Sequence, residues 1–97
     1  MSQVNLEQFF GGWFHQDWQR DAPTWQGVVQ LYARSDGSSA ARSASDAVFA
    51  LVLSESNDTA LATKLATLGC EYWPGSAQDV RSWLTALGFE LRQASGS

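Results

Sequence analysis

The sequence predicts an all-α fold, a compact single-domain bundle of about five short helices spanning residues 1–97. Three observations predict it. Apolar residues recur at helical spacing along most of the chain, capping residues and glycines bound the segments so marked, and no pair of alternating strands joined by a tight turn occurs. Ninety-seven residues suffice for one core and fall short of a second folded unit. With 44 % apolar residues, five Trp, five Phe and two Tyr, that core needs no disulfide staple.

Asn5 is placed to cap a first helix carrying Leu6, Phe9 and Phe10, which Gly11-Gly12 would end. The connection from Trp13 to Pro23 then holds Trp13, Phe14, His15 and Trp18. Rings in so long a link imply that it is packed down on the core. Pro23 and Thr24 open a second helix, in which Trp25, Val28, Val29 and Tyr32 form one stripe before the stop at Ser35-Asp36-Gly37. A third helix runs from about Ser38 to Ser54. Its first half is rich in Ala and Ser, and Val48, Phe49, Leu51, Val52 and Leu53 are apolar nearly all round. That run also fits a buried strand by periodicity; flanking Ala and the lack of a partner strand decide for helix.

Asn57 and Asp58 cap a fourth helix with Leu61, Leu65 and Leu68 on one face and Gly69 at the exit. The link from Cys70 to Gly75 carries Tyr72 and Trp73 and then a Pro-Gly breaker. Ser76-x-x-Asp79 resembles a capping box and opens the last helix, whose stripe is Val80, Trp83, Leu84, Leu87 and Leu91. Gly88 inside it either admits a close neighbour or marks an early end. Ala94 to Ser97 reads as a frayed tail.

Ten acidic residues against six basic ones give a net charge of −4. Lys64 is the sole lysine and the arginines are scattered, so neither a phosphate backbone nor an anionic membrane finds a basic patch. The balance suits a basic protein partner, and it also serves plain solubility. Cys70 stands alone, which excludes an intramolecular disulfide and a structural zinc cluster and fits a reducing cytoplasm. Met1 to Leu6 shows no signal-peptide pattern, and the longest apolar stretch, Ala47 to Leu53, is far below the roughly 20 residues that span a bilayer. A soluble, cytoplasmic protein is expected.

His15 near Asp17 invites a general-base reading, because a carboxylate can orient an imidazole. No recognisable nucleophile accompanies the pair: neither Cys70 nor any serine sits in a nucleophile elbow. The simpler expectation is that His15 bonds the backbone of its packed link. No catalytic residue, metal site or cofactor is expected, since one His, one Cys and dispersed carboxylates offer no ligand pair. Cys70 follows a helix exit, whose carbonyls disfavour a thiolate, and reads as a small buried apolar residue. Trp25, Tyr32 and Trp83 lie on helical stripes and read as core. Trp13, Trp18, Tyr72 and Trp73 lie on links, where one or two of them could face a partner. Asp36, Asp46, Glu55, Asp58 and Glu71 gather with Arg34, Arg42 and Lys64 in the middle of the chain, as a solvated face or a binding one.

Leu6-x-x-Phe9-Phe10-Gly11-Gly12-Trp13-Phe14-His15-Gln16-Asp17-Trp18 resembles the opening of bacterial contact-dependent growth inhibition immunity proteins, the CdiI family. Leu68-Gly69-Cys70-Glu71-Tyr72-Trp73-Pro74 is similar to that family's link before its last helix, and Trp83-Leu84 stands where that helix carries a similar pair. Trp13, where Tyr is more usual, and the Ala/Ser-rich centre depart from the pattern. The resemblance implies a non-enzymatic protein that binds a cognate toxin domain 1:1 and neutralises it. Such toxins are commonly nucleases, tRNases among them. A motif shared by relatives that meet different toxins is scaffold, which assigns Trp13, Phe14, His15, Asp17, Trp18, Tyr72 and Trp73 to structure. Toxin contacts then fall in the idiosyncratic middle, at Asp36, Asp46, Glu55 and Asp58, with Glu71 apart. Two other classes stay open: a small hydrolase using His15 and Asp17, and a helical adaptor or oligomerisation module.

Overall fold

Four of the five expected helix starts are held by the capping side chain that the sequence offers. In the computed structural model, which describes residues 5–15 and 17–96, Asn5 accepts from the amides of Glu7 and Gln8, and Thr24 from Gly27 at 3.2 Å. Asn57 accepts from Ala60 at 3.0 Å and Ser76 from Asp79 at 3.1 Å. Each bond satisfies an amide that has no partner inside its helix. The helices are α1 (Leu6–Trp13), α2 (Trp18–Asp21), α3 (Trp25–Asp36), α4 (Ser38–Ser54), α5 (Asp58–Thr67) and α6 (Ala77–Ala94). No strand occurs among the described residues, and the ambiguous run 47–53 is helical. Gln16 of the first motif lies outside the described residues.

Two expectations need correction. Gly11-Gly12 do not end α1, which continues to Trp13 and closes when the Phe14 amide donates to the Phe10 carbonyl at 2.8 Å. Packing overrides the glycine preference. Continuing the helix brings Phe14 against Phe9 and Phe10, at ring separations of 5.8 and 6.1 Å. The close approach here belongs to Gly69: a Cβ on it would stand 3.3 Å from the Gly11 Cα, whereas a Cβ on Gly11 would meet nothing within 4 Å. Gly69 itself, at φ 92°, supplies the left-handed exit from α5 that the sequence leads one to expect. The second correction is α2, a four-residue helix inside the first aromatic link, which brings the count to six.

The buried residues form one cluster, to which α1, α3, α4, α5 and α6 all contribute. Along α6 the expected stripe of Val80, Trp83, Leu84, Leu87 and Leu91 is buried. Gly88 does not stop the helix. It makes room for the Phe49 ring, which a Cβ there would meet at 2.7 Å. Beside it the buried Ser45 hydroxyl donates to the Gly88 carbonyl at 2.7 Å, so α4 and α6 lie close enough to share a polar bond. At the other end of the seam Arg81 donates to the Val52 carbonyl at 3.0 Å, to the Glu55 carbonyl, and to the Asp58 carboxylate. Early α6 thus faces late α4, and the two helices run antiparallel. One guanidinium satisfies the open carbonyls at the end of α4 while holding the start of α5.

Candidate partner-binding faces

The two aromatic links meet. The Glu71 amide donates to the Phe14 carbonyl at 2.8 Å, and rings close around that bond. Phe14, fully buried, touches Trp18, Tyr72 and Trp83 at 6.2, 6.5 and 5.4 Å between centroids. Tyr72 lies on Trp83 at 4.7 Å and Trp18 meets Tyr72 at 5.5 Å. His15 is half-buried there, and its Nδ1 accepts from the Asp17 amide at 3.0 Å. Its Nδ1 is thus engaged as an acceptor by the backbone of its own link. This is a backbone bond, and it leaves no Nδ1–H for the exposed Asp17 carboxylate to orient. Trp73 departs from its neighbours, 57 % exposed.

Cys70 sits half-buried beside this junction, its thiol donating to the Tyr72 carbonyl at 3.6 Å. Burial pushes the thiol up to about 12, and the adjacent Glu71 carboxylate adds to the shift. A neutral thiol, not a nucleophile, is what this position holds.

Trp13 packs edge-on to Tyr32 at 5.6 Å and stands between two hollows. One is an open groove of about 550 Å³ lined by Gly12, Trp13, Leu31, Arg34 and Ser35. The other, of about 230 Å³, lies toward Asn5, Gln8 and Asp36. Burial raises the Tyr32 hydroxyl above its ordinary value, and the Asp36 carboxylate raises it further, so that carboxylate reaches the phenol's side of the cleft.

The fold divides the five carboxylates that the sequence groups together. Asp46 and Asp58 are engaged by arginines: Asp46 loosely by Arg92 at 3.7 Å, and Asp58 by Arg81. Among the described residues no cation pairs with Asp36, Glu55 or Glu71. Asp46, Glu55 and Asp58 follow the α4–α6 seam and its continuation into α5. Asp36 ends α3 beside Ala40, and Glu71 belongs to the aromatic junction. Nine residues at about 100° each place Ala40 and Phe49 on opposite sides of α4, so the Asp36 cleft faces away from the seam.

Three apolar side chains not singled out as surface complete that seam. Leu53 is 85 % exposed and Phe89 53 % exposed, and the half-buried Phe49 meets Phe89 edge-on at 5.1 Å. Arg92 lies over the Phe49 ring at 5.5 Å from its centroid. A signal for Phe89 was present: two residues beyond Leu87, it falls about half a turn off the α6 stripe. Leu53, two residues beyond the buried Leu51, is off the α4 stripe in the same way.

Among the described residues no three His, Cys, Asp or Glu side chains group as a metal site, and no helix is long and apolar enough to cross a membrane. The fold defines a class first, a small all-helical domain with exposed apolar and acidic groups on its described surface. The sequence model of the CdiI immunity proteins matches residues 3–91, and the chain belongs to that family. The likeness drawn from two motifs is thus a membership covering nearly the whole chain. No curated protein and no solved structure matches it.

Proposed function

We propose that this chain binds the toxin domain of a contact-dependent growth inhibition effector, 1:1 and in the cytoplasm, and blocks it without catalysis or cofactor. Membership of an immunity protein family carries the reading. The net charge of −4 sharpens the partner to a basic one, as an enzyme that grips nucleic acid must be. A nuclease is therefore the proposed target, in its narrowest form a tRNase. Asp36, Asp46, Glu55, Asp58 and Glu71 are the proposed contacts. Asp36, Glu55 and Glu71 can meet toxin cations without giving up an internal partner, whereas losing Asp58 also frees Arg81.

The test is titration of the purified chain against the C-terminal domain of the protein encoded directly upstream, with nuclease activity followed in parallel. Binding at stoichiometry one with loss of RNA cleavage is expected. A folded chain that shows no binding at micromolar concentration contradicts the reading.

A further inference from the structure

We infer that the α4–α6 seam is the face on which the toxin domain docks, with Phe49, Leu53 and Phe89 as its apolar centre; this rests on the reading just proposed. A side chain 85 % exposed gains nothing for the fold by being leucine, and a phenylalanine 53 % exposed gains little. Both stand on the same seam, next to a third ring that is itself only half-buried. Together they make an apolar strip on an otherwise polar flank, the pattern that marks a protein contact site.

The surround resembles the polar rim of such a site. Asp46 stands one turn from Phe49 on the same flank of α4, and Glu55 follows Leu53 by two residues. Two arginines, Arg42 and Arg92, complete this rim. Asp46 and Arg92 are 66 % and 47 % exposed at a separation of 3.7 Å, a contact that opens at little cost. The strip therefore presents a hydrophobic centre and a polar rim on a chain of net charge −4, which fits a basic toxin domain. A second copy of the chain fits less well, because two chains of net charge −4 repel each other. The fold supports the strip rigidly: Ser45 bonds Gly88 directly beneath Phe49, and Arg81 pins the far end. A preorganised apolar anchor binds without an ordering cost.

The experiment is calorimetric titration of the upstream-encoded toxin domain into the wild-type chain, Leu53→Lys, and Leu53→Ser combined with Phe89→Ser. Circular dichroism and light scattering accompany each titration. The double variant is expected to bind at least about 30-fold more weakly, and Leu53→Lys about tenfold more weakly, with wild-type helicity and melting temperature. Leu53→Lys keeps the test decisive if the double variant fails to fold, because its side chain supports nothing. Gln30→Ala, exposed on α3, should bind as wild type. Wild-type binding that both seam variants retain within about threefold overturns the seam while leaving the toxin reading intact. A wild-type chain that does not bind overturns both. A wild-type dimer that the seam variants dissolve, with toxin affinity unchanged, assigns the strip to self-association and overturns the inference.

Discussion

At the junction of the two links, Phe14, Trp18, Tyr72 and Trp83 enclose one another around a backbone hydrogen bond. Along the α4–α6 seam, each of Phe49 and Phe89 has the other as its one ring neighbour among the described residues; Phe49 is half-buried and Phe89 is 53 % exposed. Both regions are aromatic, and both lie in one small helical body. In the first, each ring has several ring neighbours and the polar backbone is satisfied internally, so the rings stabilise the fold. In the second, contact area is left uncovered, at a place where the helices beneath are fixed by Ser45 and Arg81. Aromatic content alone does not locate a binding face. The number of partners each ring already has does so better.

That contrast can be broken most forcefully at the junction. Phe14→Ala removes a fully buried ring that meets five others and should cost about 3–5 kcal/mol in denaturant unfolding. A cost under about 1 kcal/mol would place the core elsewhere. Arg81→Met removes the bonds to Val52, Glu55 and Asp58 and should cost about 2 kcal/mol in the same measurement. Gly88→Ala forces the Phe49 ring outward, since the new Cβ would otherwise stand 2.7 Å from it. A loss of about 1 kcal/mol is expected, because the ring's outer edge can swing into solvent.

The smallest effect concerns pH. The Cys70 thiol of the unfolded chain ionises near 9.0, whereas burial holds the folded one to about 12. The unfolded state therefore releases its proton first, and stability should fall as pH rises from the lower value towards the higher. Thiolate absorbance near 240 nm should accordingly stay absent from the folded protein at pH 10 and appear on unfolding.

Much of the fold was legible because it is written locally. Asn5, Thr24, Asn57 and Ser76 sit where their side chains can reach free helix amides, and a reader of the sequence can place them. Gly11-Gly12 misled because packing decides there: carrying α1 on to Trp13 sets Phe14 against Phe9 and Phe10, a gain that the glycine signal does not contain. The surface was less legible than the core. Proximity in sequence gathered Asp36, Asp46, Glu55 and Asp58 into one group, but Asp36 at the end of α3 and Asp46 on α4 lie on different sides and Arg81 takes up Asp58. Periodicity reports which residues share a face, not whether another helix covers it. Phe89 and Leu53, each about half a turn off its stripe, were nonetheless readable as outward-facing.

The division between a structural junction and a working seam is tested most directly by NMR of the chain with and without the upstream-encoded toxin domain. Indole signals of Trp18 and Trp83 report the junction, and the ring signals of Phe49 and Phe89 report the seam. On saturation with toxin the two phenylalanines should shift strongly while both indoles stay in place. Indole shifts with unmoved Phe49 and Phe89 signals would put the toxin on the junction and contradict the account.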